Sequence, residues 1–374
     1  MKIIIVGTSH PYRGGIAAFT DRLAAEFVKE GVDIEVVTFK LQYPSFLFPG
    51  KTQYSDAKSP EGFPIERKVN SINPLNWITV GHEIRKKNPD IVVFTYWMSF
   101  FAPCFSNIAK VVKRNRHTKC IGLIHNMIPH EKSLLDKMFA PNFVKAMDGF
   151  VALSKSVLDD VASLDKQDKA KVFAPHPLYD HFGDIMNRAE AVNHLNLDLN
   201  YRYFLFFGLV RAYKGLDLLL DAFADERLRK YPVKLLVAGE FYDDPKTYLE
   251  QIKKHGMQDF VIIENQYISD DNVKYYFNAA DIVVQPYKSA TQSGVTQIAY
   301  HFEKPILVTN VGGLGEIIPN GKVGYVVEPN PVAIADALVD FCENERYEKF
   351  VEGVRDEKKK YQWSNMTEAI KNLL

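Results

Sequence analysis

The chain has 374 residues, more than a single ordinary hydrophobic core accommodates. Hydrophobic residues make up 47% and charged residues 25%, a composition that excludes extensive disorder. Its 46 Lys and Arg residues balance 46 Asp and Glu residues, so net charge gives no reason to expect a nucleic-acid partner. Three scattered cysteines, Cys104, Cys120 and Cys342, provide neither a disulfide framework nor a zinc site, and a reducing cytoplasm is expected.

Short apolar runs alternate with longer segments of helical period throughout the first half of the chain. This alternation is typical of βαβ units around a parallel sheet that is buried on both faces. The predicted strands cover residues 3–6, 34–38, 91–95, 120–124, 150–153 and 171–173. The first predicted helix begins after Gly14 and Gly15. Its Phe19, Leu23 and Phe27 recur every four residues and form one apolar stripe.

The same alternation starts again after a proline-containing segment, residues 174–180, which we interpret as a hinge. The predicted strands of the second half are 203–207, 234–238, 260–263, 281–285, 305–309 and 324–327, and the predicted helices are 215–223, 246–255, 271–279, 295–302 and 332–342. A last helix, about 364–374, has Ser364 as its expected N-cap. We therefore predict an α/β protein with doubly wound Rossmann-like domains at 1–175 and 176–360, and a C-terminal segment, 361–374, that packs on the first domain.

Glycine-containing loops follow several of the predicted strands, at the edge where open α/β sheets bind ligands. Residues 10–15 end in two glycines, although such a turn can serve only to fit a helix against a strand. Residues 208–215 have the pattern Gly-x-x-Arg-x-x-Lys-Gly, in which Arg211 and Lys214 suit a diphosphate. Residues 286–295 are rich in small polar side chains and run up to the N-terminus of a predicted helix, and helix N-termini favour anions. A further glycine-rich loop covers 309–316.

Taken in order along nearly the whole chain, these segments resemble the retaining glycosyltransferases of family four, which have the GT-B fold. The resemblance rests on the loop at Gly14 and Gly15 and on residues 208–215, 278–286, 299–305 and 311–316. It implies two Rossmann-like domains that face a cleft. The second would bind a nucleotide-diphosphate sugar and the first a glycan or lipid-linked acceptor. It also implies transfer with retention in polysaccharide or glycoconjugate biosynthesis.

The resemblance also implies roles for individual residues. Arg211 and Lys214 would hold the diphosphate during catalysis, and His125 would face the reacting sugar; His10, His130 and His176 are weaker candidates. The residues expected to contact the donor are Gly14, Gly15, Gly208, Tyr267, Gln292, Ser293, Gly294, Val295 and Gln297. No histidines have metal-ligand spacing, so neither a metal nor another cofactor is expected.

The family pattern is incomplete in the third loop. Relatives usually carry two glutamates eight positions apart there, one for the donor sugar or phosphate region and one for the ribose. Ala290 and Ile298 occupy those positions, and Leu209 stands where many relatives have arginine. Gln292, Ser293 and Gln297 are the expected substitutes, and Arg211 would serve in place of the missing arginine. A non-catalytic nucleotide-sugar-binding homologue and a sugar-nucleotide epimerase of the same fold remain alternatives.

Positive charge is concentrated in the first half, most densely between Lys110 and Lys119. An anionic membrane surface is a candidate partner, with a peripheral location on the inner face of the membrane. Solvated helix ends would give the same pattern. Aromatic residues at 43–49 and 97–101 are candidates for an acceptor site or for core packing. No run of about 18 apolar residues occurs, so no membrane-spanning segment is expected.

Overall fold

The computed structural model describes residues 1–43, 53–54, 58–127, 134–242, 244–290 and 293–374. The chain folds as two compact units. Unit 1 consists of Met1–His176 and Gln362–Leu374, and unit 2 consists of Pro177–Tyr361. Each unit contains one parallel sheet between layers of helices, so the predicted α/β class with two doubly wound sheets is confirmed.

Unit 1 contains a seven-stranded sheet in the order β3-β2-β1-β4-β5-β6-β7. Its strands are β1 (Lys2–Val6), β2 (Asp33–Leu41), β3 (Ile65–Asn70), β4 (Ile91–Tyr96), β5 (Lys119–Ile124), β6 (Gly149–Ala152) and β7 (Ala170–Phe173). The helices connecting them are α1 (Gly15–Lys29), α2 (Pro74–Lys87), α3 (Ala102–Val112), α4 (Leu134–Ala146) and α5 (Lys155–Leu164). Every residue of β4 is buried, because helices cover both faces of the sheet.

Among the strands that the structure describes in unit 1, the edge strand β3 is the one that the apolar runs do not predict. Its sequence contains Glu66, Arg67 and Lys68, so it does not look like a buried strand. It forms because its backbone pairs with β2, from Val36 opposite Ile65 to Leu41 opposite Asn70. An edge strand needs only one paired side and tolerates charged side chains.

Unit 2 contains a six-stranded parallel sheet in the order β10-β9-β8-β11-β12-β13. Its strands are β8 (Arg202–Phe207), β9 (Val233–Ala238), β10 (Val261–Glu264), β11 (Ile282–Gln285), β12 (Ile306–Thr309) and β13 (Gly324–Val327). Its helices are α6 (Arg188–His194), α7 (Leu216–Phe223), α8 (Lys246–Lys254), α9 (Asp270–Ala279), α10 (Gly294–His301), α11 (Pro331–Glu343) and α12 (Tyr347–Glu357). The six predicted strands are confirmed to within one residue, whereas α6 and α12 were not predicted.

The last helix, α13 (Trp363–Lys371), belongs to unit 1 and packs on α1. The ring of Trp363 lies 5.0 Å from that of Phe19, and Lys371 Nζ lies 2.8 Å from Glu30 Oε2. The prediction of Ser364 as N-cap is wrong. The N-cap is Gln362, two residues earlier, and Trp363 is buried in the first turn of the helix. Among the described helices, none is both long enough and apolar enough to cross a membrane.

We predict that Trp363→Ala lowers the free energy of unfolding of unit 1 by about 3–5 kcal/mol, because it removes a buried indole and leaves a cavity against Phe19. Urea denaturation monitored by far-UV circular dichroism should show the midpoint for unfolding of unit 1 moving to a lower urea concentration. Asn372→Ala, at an exposed position just after α13, is the control. If the two variants unfold alike, α13 does not contribute to the core of unit 1.

Candidate functional site

The topological switch point of the second sheet lies between β8 and β11. The next strand along the chain, β9, lies on one side of β8, and β11 lies on its other side, so the direction of winding reverses between β8 and β11. The loops that follow these two strands, residues 208–215 and 286–293, are called the switch-point loops below. Crevices at such points are the usual ligand sites of open parallel sheets.

Glycines allow the backbones around the switch-point loops to pack directly against one another. Gly215 has φ 69°, and a Cβ atom there would overlap the carbonyl oxygen of Pro286. Gly239, just after β9, has φ 146°, and a Cβ atom would overlap the carbonyl oxygen of Gly208. Any other side chain at these two positions would separate the loops. The two glycines therefore hold the loop after β8 between its neighbours.

Lys214 is buried in the first switch-point loop. Its Nζ atom lies 5.8 Å from the centre of the Tyr287 ring. It also lies 3.3 Å from the point that a Cβ atom would occupy if residue 208 were not glycine. No carboxylate in the part of the chain that the structure describes pairs with this ammonium group. Burial, and secondly the nearby charge of Arg211, lower the pKa of Lys214 to about 8. An anion would restore the missing counter-charge.

Arg211 presents a second cation in the same loop. Its guanidinium lies over the Tyr242 ring, with Cζ 4.1 Å from the ring centre. Its Nε atom is buried and has no hydrogen-bond partner among the described residues. An unpaired guanidinium donor next to a buried lysine is suited to phosphate oxygens, because guanidinium donors match their geometry.

The N-terminus of α10 completes the second switch-point loop. Ser293 is the N-cap, but its side chain does not cap the helix; its Oγ lies 3.3 Å from Tyr287 Oη instead. The first-turn amides of Gly294 and Val295 are therefore not used by a side-chain cap. A Cβ atom on Gly294 would lie 2.7 Å from Tyr179 Cε2, so the helix start is tightly packed.

The other residues predicted to contact the donor have different environments. Gln297 is buried in α10, and its Oε1 atom has no hydrogen-bond partner within the described residues. Tyr267 is 72% exposed in the loop after β10. Gln292 lies outside the described residues. Ile298 is buried in the core of unit 2, and the partly buried Ala290 packs against that core, so neither position supplies a carboxylate.

The first sheet has its own switch point, between β1 and β4. Gly14, with φ 110°, is the N-cap of α1, and Gly15 is the first residue of that helix; both are exposed. Asp21 anchors the preceding loop, because its carboxylate accepts hydrogen bonds from Ser9 Oγ and, at 3.3 Å, from the His10 backbone amide. Burial raises the pKa of Asp21. No sequence motif identifies Asp21, and the prediction missed it.

His125 follows β5, and its backbone amide donates to the Tyr96 carbonyl at 2.8 Å. Its ring meets the Phe19 ring edge-to-face, with the centres 4.6 Å apart, and Phe19 also contacts His176. The Nε2 atom is buried without a hydrogen-bond partner in the described chain. Burial, and secondly the charge of His176, lower the pKa of His125 to about 3. The imidazole is therefore neutral at physiological pH. His130 lies outside the described residues.

The aromatic residues of the first half serve mainly as core. Phe101 is fully buried, whereas Tyr43, Trp97 and Phe100 are partly buried and pack against the same cluster. Residues 44–49 lie outside the described part of the chain. No group of three or more His, Cys, Asp or Glu side chains that could hold a metal ion occurs within the described residues.

Comparisons with known proteins agree with this architecture. Residues 13–175 match the family model of glycosyltransferase family 4, and residues 187–357 match that of glycosyl transferases group 1. An uncharacterized glycosyltransferase of Methanocaldococcus jannaschii is 24% identical, over 100% of this chain and 97% of that protein. The O-antigen chain mannosyltransferase C of Escherichia coli is 27% identical, over 59% of this chain and 58% of that enzyme.

Among solved structures, the Anabaena protein Alr3699/HepE in complex with UDP superimposes with a TM-score of 0.72, at 14% identity, over 100% of this chain and 99% of that one. The two family models together span both units of the chain. The chain belongs to glycosyltransferase family four. Its fold is GT-B, as the resemblance of the sequence implied.

Within this glycosyltransferase, the sequence pattern identified the residues of the switch-point loops but not their surroundings. It did not predict Tyr242, which is 67% exposed and stacks on Arg211, or the partly buried Tyr179 ring against Gly294. Tyr242 is distant in sequence from Arg211, and only the order of β8 and β9 in the sheet brings them together. The assigned roles of the individual site residues stay predictions.

We predict that neutral His125 makes the glycosyltransferase less stable in weak acid. A histidine with a folded pKa of about 3 and an unfolded pKa of about 6.5 contributes stability above pH 6.5, which is lost as pH falls towards 3. Between pH 7 and pH 5 the wild type should lose about 2 kcal/mol more than His125→Gln. Urea denaturation at each pH measures this difference. His82→Gln is the control and should retain the wild-type pH dependence; an equal loss in His125→Gln would contradict the prediction.

Proposed function

We propose that this glycosyltransferase transfers a sugar from a nucleotide-diphosphate sugar to a hydroxyl of a glycan or lipid-linked acceptor. The observation that carries the proposal is the buried Lys214 ammonium, which has no carboxylate partner among the described residues, next to the Arg211 Nε, which has no hydrogen-bond partner there either. Two cations and the N-terminus of α10 at one topological switch point favour a dianionic or trianionic group. A diphosphate has that charge.

The same groups would assist the chemistry. In glycosyl transfer, the bond between the anomeric carbon and the diphosphate oxygen breaks, and the electron pair stays on the diphosphate. The acceptor hydroxyl oxygen bonds to the anomeric carbon, and its proton passes to the departing diphosphate oxygen. Lys214, Arg211 and the first-turn amides of α10 would stabilise the charge that develops on the leaving group. Retention of configuration is proposed on the family relationship alone.

His125 would have a different role, because its imidazole is neutral. Its Nε2 is buried and has no hydrogen-bond partner in the described part of the chain, so the uncharged ring can exchange a hydrogen bond with a hydroxyl group but cannot supply a positive charge near pH 7. We propose that it contacts a hydroxyl of the reacting sugar. Lys214 and Arg211 would then stabilise the negative charge of the diphosphate.

The relatives support a nucleotide-sugar donor and a glycoconjugate product. The Anabaena neighbour was solved with UDP, and curated relatives include an O-antigen chain mannosyltransferase and D-inositol 3-phosphate glycosyltransferases. We propose by analogy a cytoplasmic enzyme of polysaccharide or glycoconjugate biosynthesis. Lys214 and Arg211 supply positive charge that a divalent metal provides in other phosphate sites, so we propose catalysis without a metal or cofactor.

A non-catalytic nucleotide-sugar-binding protein is the second candidate. The observation that favours it is the apolar character of Ala290 and Ile298, where relatives usually carry glutamates. In the catalytic alternative, Gln297, Ser293 and Gln292 make the missing contacts. Binding of nucleotide sugars without any release of nucleotide, with every acceptor tested, would favour the non-catalytic role.

We predict that Lys214→Ala lowers kcat for release of nucleoside diphosphate at least about 100-fold, because one charged donor to the leaving group is lost. Thermal shifts with UDP, GDP and their sugars first identify the base, and initial rates with that donor then compare the variants. Lys253→Ala, on the exposed face of α8, is the matched control. Near-normal turnover of a folded Lys214→Ala protein would exclude the proposed role of this residue.

The lowered pKa of Lys214 predicts a pH dependence of nucleotide binding. Below about pH 8 the free protein has a charged ammonium, and above it the charge is lost. The nucleoside diphosphate favours the charged form, so its Kd should rise by up to about tenfold per pH unit between pH 8 and pH 9.5. Titration calorimetry at several pH values measures this change. Lys214→Met should bind more weakly and show a flat Kd over that range; a similar slope in this variant would assign the effect to another group.

A further inference from the structure

The ring of Tyr242 contacts one of the two cations of the switch-point loops from the surface of unit 2. Tyr242 lies in the loop after β9 and is 67% exposed, so core packing does not account for an aromatic residue at this position. The guanidinium of Arg211 lies over its ring, with Cζ 4.1 Å from the ring centre. The hydroxyl group of Tyr242 forms no hydrogen bond to another residue in the described part of the chain. The ring face is therefore the part of this side chain whose position needs an explanation.

Backbone hydrogen bonds beyond the ends of β8 and β9 place Tyr242 next to Arg211. The Val210 amide donates to the Glu240 carbonyl at 2.8 Å, and the Tyr242 amide donates to the Val210 carbonyl at 3.0 Å. These two bonds continue the parallel pairing of the strands by one step, in which Val210 pairs with Phe241. Arg211 and Tyr242 are the residues that follow this pair. Their contact therefore rests on a regular backbone arrangement.

Phe241 attaches the same segment to the rest of unit 2. Its backbone amide donates to Asn265 Oδ1 at 3.1 Å, in the loop after β10. Its ring meets the Tyr248 ring of α8, with the centres 5.6 Å apart. The backbone that carries Tyr242 is thus attached to the loop after β8 on one side and to α8 and the loop after β10 on the other. A ring on such a backbone offers a fixed surface to its neighbours.

The guanidinium of Arg211 is held in a different way from those of other arginines in unit 2. The side chains of Arg227, Arg346 and Arg355 lie 2.7, 3.0 and 2.6 Å from carboxylate oxygens. Arg211 has no carboxylate partner among the described residues, and its buried Nε has no hydrogen-bond partner there. A carboxylate would fix the guanidinium but would also neutralise its charge. The ring of Tyr242 adds no negative charge.

An aromatic ring attracts a cation through the negative face of its π system. The contact does not pair the N–H donors of the guanidinium with an oxygen, so these donors stay available to phosphate oxygens. It also restricts the orientations that the long arginine side chain can adopt. Tyr242 can therefore hold Arg211 in place while the charge and the donors of the guanidinium stay available to a ligand.

We propose that Tyr242 is a positioning residue, which holds Arg211 in the orientation that binds the diphosphate of the donor. This inference rests on the proposed function, because Tyr242 acts through Arg211 on the bound nucleotide. Ordering a flexible side chain during binding weakens affinity, and an arginine that is already ordered in the free protein avoids part of this loss. Tyr242 would thus strengthen nucleotide binding without touching the nucleotide.

The test compares nucleotide binding by Tyr242→Leu and Tyr242→Phe. Leucine removes the aromatic face at an exposed position, whereas phenylalanine keeps it. We expect Tyr242→Leu to raise the Kd of the nucleoside diphosphate about two- to fivefold, the range for an exposed cation–ring contact, and Tyr242→Phe to bind like the wild type. The probes are UDP and uridine, or GDP and guanosine if the thermal shifts select guanine, in thermal-shift titrations. The Kd of the nucleoside should not change, because it lacks the diphosphate that Arg211 would bind.

A double-mutant cycle with Arg211→Ala separates positioning from direct contact with the ligand. In the Arg211→Ala protein, Tyr242→Leu should cause no further rise in the Kd of the nucleoside diphosphate. A Tyr242 ring that stacked on the base instead would affect the nucleoside and the diphosphate equally, and would do so without Arg211. That result would overturn the proposal.

Tyr201 provides a matched control at the opposite end of the same two strands. Its ring also lies beside a cation, with Lys234 Nζ 4.4 Å from the ring centre, but these residues lie at the amino ends of β8 and β9. Tyr201→Leu should leave the Kd of the nucleoside diphosphate unchanged. An equal rise in this control would assign the effect of Tyr242→Leu to a general change in unit 2 and would contradict the positioning role.

The positioning role and the proposed function fail in different ways. If Arg211→Ala weakens binding of the nucleoside diphosphate and Tyr242→Leu does not, the positioning role alone is wrong. If Arg211→Ala binds the nucleoside diphosphate as tightly as the wild type, the proposed role of Arg211 is wrong, and that of Tyr242 with it.

Discussion

The buried ammonium group of Lys214 is the constraint on which the arrangement of unit 2 depends. Removing a charge from water without a partner costs free energy, and burial accordingly lowers the pKa of Lys214. The buried charge lies in the loop that follows the carboxyl end of β8, in the middle of the second sheet. Core packing alone would favour an apolar residue there, so the cation is best understood as one half of an interaction whose other half is a ligand.

The backbone around Lys214 is built so that this charge stays in place. Gly215 and Gly239 allow the loop after β8 to lie directly against the backbones that follow β11 and β9. A flexible surface lysine could turn towards water and recover its hydration. Lys214 is held between the Tyr287 ring and Gly208. The stability of the surrounding sheet offsets the free energy that its burial costs.

The sequence predicted the sheets of this protein better than their edges. Apolar runs marked every strand of unit 2, because strands buried on both faces consist of little but Val, Ile, Leu and Phe. The edge strand β3 carries charges and forms only through its pairing with β2. Helix α12 was missed for a related reason: only one side is buried, with Phe350, Val351 and Val354, and charged residues occupy most of its other positions.

The candidate site shows the same division between local and long-range information. Arg211, Lys214 and Gly215 lie in one short motif, so their proximity could be read from the chain. The contact of Tyr242 with Arg211 depends on strand order, and the hydrogen bond from Ser9 to Asp21 depends on how α1 meets the end of β1. Burial is equally long-range. A lysine motif does not reveal that its charge lacks a carboxylate partner within the described ranges.

The apolar replacement at position 298 changes the electrostatics of the proposed donor site. Ile298 packs within the core cluster, so a carboxylate on that side chain would be buried among apolar groups unless a ligand hydrogen-bonded to it. Gln297, the preceding residue, instead offers an uncharged oxygen that is already buried and has no hydrogen-bond partner among the residues that the structure describes. An amide can accept a hydrogen bond from a hydroxyl and adds no negative charge beside a diphosphate. With neither glutamate present, the full positive charge of Lys214 and Arg211 remains available to the ligand.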